Sequence, residues 1–284
     1  MVNPGITRFE MARVGGVELE YEVRGAGEPV LFIHGSIVAQ AFAPLLSQPS
    51  LAEGYQLVSY HRRGFGGSTH PAEPVSIARQ AADARGLLDL LGIERAHVVG
   101  HSYGAVVALQ LALDAPDRVH TLALLEPGTV TSAAAAAFMA QAQPLVQMYE
   151  EGDKAGAIDA FCQAVAGPHY RAALDRVLAP GWFEMAVADA DTFFQVELPA
   201  LLTWDLTPAL AKRITQPVLS VLGAESAAID PSVVEAHELL QAWLPRTEVF
   251  ILPGATHALQ MINPAGMAEG LTRFFAAHPI SVPA

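Results

Sequence analysis

The chain has 284 residues, 52% of them apolar, so it can bury a sizeable core within one large domain or a domain with an insertion. Its formal net charge of −13, without a basic cluster, argues against nucleic acid, anionic membrane surfaces and highly charged anionic substrates as partners. The only cysteine, Cys162, rules out an intramolecular disulfide and argues against a cysteine-based metal cluster.

The N-terminal segment predicts an opening hairpin that leads into a sheet. Met1 to Arg8 has no apolar signal core, and no apolar run is long enough to span a membrane, so we expect a cytoplasmic protein. Apolar and polar residues alternate over 17–24, which predicts a half-buried strand paired with a strand over 8–14. Residues 30–33 are apolar throughout, as in a strand of a parallel sheet that is buried on both faces.

Strands and helices alternate up to residue 127. His34-Gly35-Ser36 follows the first buried strand, and a glycine-rich turn over 61–68 follows the next strand. The other elements predicted in this part are a helical stretch to about Glu53, a strand over 56–60, an amphipathic helix over 77–91, a strand and a helix on either side of Ser102, and a buried strand over 119–125.

The pattern changes to helical segments without a clear strand over 128–212, which predicts a helical lid inserted into the core. The segment is acidic and rich in aromatic residues; most of these should form its own core, and a few should line a pocket. Strands over 217–222 and 247–252 then alternate with helices over 231–243 and 264–277. We therefore expect an α/β fold with a mostly parallel central sheet flanked by helices, divided into core residues 1–127, the lid over 128–212, and core residues 213–284.

The most informative motif is Gly100-His101-Ser102-Tyr103-Gly104, which lies between an apolar run and a helical pattern. A serine nucleophile at such a sharp strand-to-helix turn points its Oγ out of the sheet, and side chains at both glycine positions would collide there. The free N–H groups at the start of the helix favour an oxyanion. The pattern indicates that Ser102 is a nucleophile; the alternative is an ordinary strand-to-helix loop.

Four groups with chemical potential follow predicted parallel strands: His34-Gly35-Ser36, Ser102, Glu126 and His257. In sheets of this kind, the active site lies beyond the carboxyl ends of the strands. We therefore expect these groups to converge at one edge of the sheet.

These residues resemble the motifs of the α/β-hydrolase superfamily over nearly the whole chain outside the insertion. The resemblance rests on His34-Gly35, Arg63-Gly64-Phe65-Gly66-x-Ser68, the motif around Ser102, and Pro253-Gly254-x-x-His257. It implies the order Ser, then Asp or Glu, then His for the catalytic residues. The set is specific for the superfamily and says nothing about the substrate.

His257 is the candidate general base, because it is the one histidine that follows the last predicted strand, in a glycine-containing turn after the nucleophile. His34 and His101 belong to their motifs and are interpreted as positional. The expected oxyanion donors are the backbone N–H groups of Ser36 and Tyr103. No metal or organic cofactor is implied.

The acid is the most difficult assignment. Relatives usually place it in a Gly-x-x-Asp pattern after the strand that precedes the histidine strand, but this chain has Ser226 there. Glu126 ends the strand after the nucleophile strand, a position that some relatives, including certain haloalkane dehalogenases, use for their acid. We favour Glu126; Glu225 remains the alternative, and Asp230 is interpreted as a cap of the following helix.

The function expected from these residues is that of a serine carboxylic ester hydrolase, which forms an acyl-enzyme with an ester, thioester or lactone of a small apolar substrate. A serine nucleophile argues against dehalogenase and epoxide hydrolase chemistry. The alternatives are carbon–carbon bond hydrolysis of the β-diketone or ring-cleavage type, a small-molecule receptor on a hydrolase scaffold, and cofactor-free oxygen chemistry. Basic residues that could bind a carboxylated substrate would indicate the first alternative. The candidates for that role are Lys154, Arg171, Arg176 and Lys212.

The expected partner is a small apolar or weakly polar molecule, and the protein is expected to be a monomer or homodimer. The candidate pocket residues are Ile37, Trp182, Phe183, Phe193, Trp204 and Ala258.

Overall fold

A computed structural model describes residues 9–280. The predicted start of the hairpin at Arg8, and the N-terminal segment in which we found no signal core, lie outside these residues. The strands are β1 (Glu10–Val14), β2 (Val17–Arg24), β3 (Glu28–Ile33), β4 (Tyr55–Tyr60), β5 (Ala96–His101), β6 (Val119–Leu125), β7 (Val218–Gly223) and β8 (Thr247–Leu252).

Over the described residues the strands form one eight-stranded sheet in the order β1-β2-β4-β3-β5-β6-β7-β8. β1 and β2 form the predicted antiparallel hairpin, and β2 pairs antiparallel with β4. All other neighbouring strands are parallel. The predicted fold class, a mostly parallel sheet flanked by helices, is confirmed.

Residues 30–33 of β3 are apolar throughout because both faces of the sheet are covered there. Leu31 and Ile33 of β3 pack into the core on one face, and Val30 and Phe32 pack into the core on the other. Successive side chains of a strand point to opposite faces, so a strand covered on both sides needs apolar residues at every position. The uninterrupted apolar runs are therefore explained by the two layers of helices.

The helices of the two core layers match the predicted order. They are α1 (Ala43–Leu46), α2 (Pro49–Ala52), α3 (Ile77–Leu90), α4 (Tyr103–Asp114), α11 (Ser232–Trp243), α12 (Leu259–Ile262) and α13 (Pro264–Ala277). The helical stretch expected up to Glu53 is in fact the two short helices α1 and α2. Pro49 explains the break, because proline disfavours helical conformation at the preceding residue and lacks an N–H donor.

Between β6 and β7 the chain forms helices and no strand. These are α5 (Ser132–Glu150), α6 (Lys154–Ala166), α7 (Tyr170–Leu174), α8 (Trp182–Ala188), a π-helix (Thr192–Glu197), α9 (Leu198–Leu202) and α10 (Pro208–Ala211). Much of this segment shares one apolar cluster with Ile37, Val38 and Met261 of the core, so it is packed against the sheet edge where the strands end. No helix within residues 9–280 is long and apolar enough to cross a membrane.

Candidate active site

Ser102 lies in a strained turn between β5 and α4. Its backbone has φ 52° and ψ −122°, a conformation that L-residues rarely adopt. A Cβ atom on Gly100 would lie 2.6 Å from Ala105 Cα, and one on Gly104 would overlap the carbonyl oxygen of Ile33. Both glycines are therefore required by the tightness of the turn. The backbone N–H of Ser102 donates to the Leu125 carbonyl at 3.0 Å, which joins the turn to the end of β6.

Glu126 and His257 are brought together, although 131 positions separate them in the chain. His257 Nδ1 donates to Glu126 Oε2 at 2.8 Å. The other carboxylate oxygen, Oε1, accepts from the Gly223 N–H at 2.7 Å and from the Ser226 hydroxyl. Burial alone would raise the pKa of Glu126, but these three hydrogen bonds outweigh it and hold the pKa below its ordinary value. The carboxylate is therefore ionised at neutral pH, and it holds the proton of the imidazole on Nδ1.

Ser226 stands where the resemblance would place an acid. Its hydroxyl donates a hydrogen bond to Glu126 Oε1, at the end of the neighbouring strand β6. Glu225 is exposed at the protein surface, and its backbone N–H donates to the Ala255 carbonyl at 3.0 Å. Asp230 Oδ1 accepts from the Ser232 N–H at 2.9 Å, at the start of α11. Of the three carboxylates weighed from the sequence, Glu126 is the one that the structure places on His257.

Two further histidines support the site from behind. His101 donates through Nε2 to the carbonyl of His257 at 2.8 Å, and burial lowers the pKa of His101 to about 3, so its ring stays neutral. His34 accepts at Nε2 from the Arg62 N–H at 2.9 Å, so its Nδ1–H donates to the Gly35 carbonyl at 2.7 Å. Burial, with the Arg62 charge, lowers the pKa of His34 well below its ordinary value. Each ring thus fixes backbone beside the site.

The two predicted oxyanion donors flank the Ser102 turn. Tyr103 is the first residue of α4, so its N–H has no acceptor within the helix. Ser36 lies beyond the end of β3 and lines the same pocket as Ser102 and His257. The backbone approaches closely here, since a Cβ atom on Gly35 would lie 3.0 Å from Ser102 Cβ. Ile37, the next residue after Ser36, has φ 69°.

A small apolar pocket of about 40 Å³ opens onto Ser102 and His257. Of the predicted pocket residues, Ile37 and Ala258 line it. Trp182, Phe183, Phe193 and Trp204 do not; Trp182 donates to Asp175 at 2.8 Å, and Trp204 donates to Gln110 at 2.7 Å. The walls that sequence reasoning missed are formed by Val38, Ala41, Phe161, Cys162, Val165, Ala166, Tyr170, Leu174 and Met261.

These residues carried no distinguishing signal in the sequence. An aromatic residue on a helix of the insertion faces either its core or the pocket, and the helical spacing is the same in both cases. Phe193, for example, packs against Phe161 with ring centroids 4.6 Å apart, so it lies behind the pocket wall. Within residues 9–280, no group of three or more His, Cys, Asp or Glu side chains is arranged to hold a metal ion.

Comparison with known proteins gives a consistent family. The family model described as alpha/beta hydrolase fold matches residues 28–264. A putative carbamate hydrolase from Azorhizobium caulinodans is 37% identical over 115 residues, which cover 40% of this chain and 43% of that protein. The chain thus spans less than half the length of that relative, and only 32% of another curated relative that is 40% identical.

Other matches extend over nearly the whole chain. A 2-(acetamidomethylene)succinate hydrolase from Mesorhizobium japonicum is 26% identical over 272 residues, covering 93% of this chain and 94% of that protein. The crystal structure of a hydrolase from Pseudomonas aeruginosa PA01 superposes with a TM-score of 0.77 at 25% identity, covering 96% of this chain and 99% of the other.

Proposed function

Because this chain belongs to the α/β-hydrolase fold family, we propose that it is a serine hydrolase that forms an acyl-enzyme on small, apolar esters, thioesters or lactones. One observation carries the proposal. The ionised Glu126 carboxylate accepts from His257 Nδ1 at 2.8 Å, and His257 shares a pocket with Ser102, which lies on a strained strand-to-helix turn. Nucleophile, acid and base (Ser102, Glu126 and His257) follow one another in the chain order that this fold uses.

The roles follow from this geometry. A serine hydroxyl is a weak nucleophile and needs a base. Since His257 keeps its proton on Nδ1 toward Glu126, its Nε2 is free to take the proton of Ser102 as the Oγ attacks the acyl carbon. The N–H groups of Ser36 and Tyr103 stabilise the oxyanion that forms. His257 then returns the proton to the leaving group, and water hydrolyses the acyl-enzyme by the same steps.

The pocket supports a small, uncharged acyl group. Its lining, apart from the reacting groups, is apolar or weakly polar, and no lysine or arginine contributes to it. Apolar walls favour an apolar substrate by excluding water from it. The cavity is small, at about 40 Å³, which favours a compact acyl group.

The same lining weighs against a carboxylated ring-cleavage product as substrate. Arg171, one of the basic residues considered for that role, stacks on Phe183 with its guanidinium 3.7 Å from the ring centroid. Lys154 pairs with Asp191 at 2.6 Å. Arg176 and Lys212 do not line the pocket either. A buried carboxylate without a cationic partner is costly, so the ester reading is the better supported one.

We further propose that the inserted helices over 128–212 act as the lid of this site. Phe161, Cys162, Tyr170 and Leu174, all from α6 and α7, supply one wall of the pocket. Substrate specificity would then depend on the insertion, and the reacting groups belong to the sheet edge beneath it. Lid motion is a common gate for substrate entry in enzymes of this build.

Intact-mass spectrometry after exposure to a fluorophosphonate tests the nucleophile. We expect one adduct in the native protein and none in Ser102→Ala. Ser36→Ala is the matched control, because it removes the other serine hydroxyl of the pocket and keeps the backbone N–H; its adduct should remain. An adduct that persists in Ser102→Ala, or no adduct on the folded native protein, contradicts the assignment.

Turnover separates the hydrolase from the alternatives. We expect hydrolysis of p-nitrophenyl acetate and butyrate, and of small lactones, that is lost in Ser102→Ala. A protein that is labelled at Ser102 but turns over none of these esters would favour a receptor. Turnover that survives in Ser102→Ala would favour chemistry that does not use the serine.

A further inference from the structure

Arg62 is a charged side chain buried beside the candidate site, behind His34 and Gly35. Only 1% of its side chain is exposed, although it belongs to the glycine-rich loop after β4. Its Nε donates to the carbonyl of His34 at 2.9 Å, and Nη2 donates to the carbonyl of Gly35 at 2.9 Å. Its own backbone N–H donates to His34 Nε2 at 2.9 Å. One residue therefore holds the segment that leads into Ser36 by three hydrogen bonds.

The same guanidinium reaches the second oxyanion donor through one intermediate. Arg62 Nη1 donates to Gln80 Oε1 at 2.7 Å, and Gln80 Nε2 donates to the Tyr103 hydroxyl at 2.9 Å. The guanidinium carbon also lies 4.7 Å from the centroid of the Tyr103 ring. Tyr103 is the residue whose backbone N–H faces the oxyanion in the proposed mechanism. Arg62 thus contacts residues next to both oxyanion donors: His34 and Gly35, which precede Ser36, and Gln80, which binds the Tyr103 hydroxyl.

Glu197 of the inserted π-helix neutralises this charge. Its Oε1 accepts from Arg62 Nη2, and its side chain is 0% exposed. Neighbouring contacts seat the insertion on the same loop: Thr192 Oγ1 donates to the Gly64 carbonyl at 2.6 Å, and Asp189 accepts from the Gly66 N–H at 2.9 Å. The guanidinium that binds the His34 and Gly35 carbonyls is therefore paired with a carboxylate from the insertion.

A buried ion pair is poor evidence for stability, because desolvation of both charges offsets most of their attraction. Its geometry is more informative. Four directed donors on one planar group fix two carbonyls, an amide and a carboxylate at once, which a point charge cannot do. The pair is suited to holding backbone in place.

We propose that Arg62, neutralised by Glu197, is a positioning residue that aligns both oxyanion donors, so that the oxyanion hole is complete only when the insertion is seated. The proposal rests on the proposed serine hydrolase function. It adds a role for residues that touch neither the substrate nor the reacting atoms, and it makes the insertion a support of the catalytic geometry as well as a pocket wall.

The test is the double variant Arg62→Met/Glu197→Met, which removes both charges and so leaves no unpaired buried charge. We expect kcat for p-nitrophenyl acetate to fall about 100-fold with KM within threefold, because a donor displaced by about 1 Å loses most of its value in the transition state. Affinity for a trifluoromethyl ketone, which forms a tetrahedral adduct with the serine, should fall in parallel with kcat. A purely structural pair would not move these two readouts together.

The matched control is the double variant Arg63→Met/Asp83→Met. Arg63, next to Arg62 on the same loop, pairs with Asp83 of α3; the two side chains are 7% and 4% exposed, and both hydrogen bonds are 2.6 Å long. Removal of this pair should leave kcat within threefold. A folded Arg62→Met/Glu197→Met protein with native kcat and native ketone affinity overturns the proposal, as does an equal loss in the control.

Arg62→Lys covers the case in which the double variant does not fold. It keeps the charge opposite Glu197, but an ammonium cannot span the His34 and Gly35 carbonyls and Gln80 together. We expect a kcat loss of at least tenfold with KM unchanged, and native kcat in this variant would also overturn the proposal. Fluorophosphonate labelling of Ser102 in the native protein reports the proposed function separately, so the failure of either proposal can be recognised.

Discussion

Replacement of Glu126 by glutamine tests the acid directly and with a worked magnitude. The carboxylate accepts three hydrogen bonds, from His257 Nδ1, the Gly223 N–H and the Ser226 hydroxyl. A glutamine has one acceptor oxygen. If that oxygen stays toward Gly223 and Ser226, the amide N–H₂ faces His257 Nδ1, which must then become an acceptor.

That exchange moves the imidazole proton to Nε2. The nitrogen that should take the proton of Ser102 is then already protonated, and the imidazolium loses its counter-charge. A triad with the wrong tautomer loses about 10⁴-fold in kcat, and a 10⁴-fold loss corresponds to about 5.5 kcal/mol of transition-state free energy. We expect Glu126→Gln to show a loss of this order for p-nitrophenyl butyrate, with KM nearly unchanged.

The matched control is Glu225→Gln, which makes the same chemical change on an exposed residue of the β7 loop. Its kcat should stay within twofold of the native value. Fluorophosphonate labelling should slow in Glu126→Gln and stay native in Glu225→Gln. A Glu126→Gln enzyme within tenfold of native kcat, or a larger loss in Glu225→Gln, would refute the reasoning.

Three other predictions concern stability and substrate size. Burial lowers the pKa of His97 from its ordinary value to about 4. The free energy of unfolding therefore decreases as the pH falls from about 6.5 toward 4, because the unfolded chain binds the His97 proton at a higher pH than the folded chain does. His97→Gln should lessen the loss of unfolding free energy between pH 7 and pH 4.5 by about 2 kcal/mol in urea titrations; an unchanged difference contradicts this. Gly104→Ala should cost at least about 3 kcal/mol or prevent folding, because its Cβ overlaps the Ile33 carbonyl oxygen. Gly54→Ala, whose Cβ would meet nothing closer than 3.7 Å, should change thermal stability little, and equal effects would contradict the steric argument. Leu174→Ala should raise kcat/KM for p-nitrophenyl hexanoate relative to acetate about tenfold, because it widens the pocket. Leu178→Ala, buried in the same insertion but away from the pocket, should leave that ratio unchanged.

The sheet and its helices could be predicted because their signals are local. Alternation over β2, the apolar runs 30–33 in β3 and 122–125 in β6, and helical spacing over α3 each depend on neighbouring residues alone. The convergence of Ser102, Glu126 and His257 followed from one further rule, that parallel strands end at the same edge. The break between α1 and α2 also has a local signal, Pro49, which our prediction of one helical stretch does not use.

Side-chain direction could not be predicted in the same way. Whether Glu126 or Glu225 reaches His257 depends on the backbone at the end of a strand, and Glu126 has φ 39°, a value that no propensity predicts for a glutamate. The prediction of the pocket wall was wrong for a similar reason, since Trp204 points toward Gln110 of α4 rather than toward the site. The one sequence feature that points to Arg62 is its partner: Glu197 is a charged residue between the apolar residues Val196 and Leu198, and all three are buried.

The strain of this molecule is concentrated where the proposed chemistry takes place. Within residues 9–280, the non-glycine residues with positive φ are Ile37, Ser102 and Glu126. Ile37 follows the oxyanion donor Ser36, and Ser102 and Glu126 are the nucleophile and the acid of the proposed mechanism.

Conformations of this kind cost about 1–3 kcal/mol each and persist only where the surroundings impose them. Here the sheet does so, since the N–H of Ser102 donates to Leu125 and that of Glu126 donates to Val221, both at 3.0 Å. Each strand end is thereby held by the strand next to it. The stability of the parallel sheet therefore supports the turns that carry the reacting groups of the proposed mechanism, which explains why these groups lie at strand ends and not in the insertion.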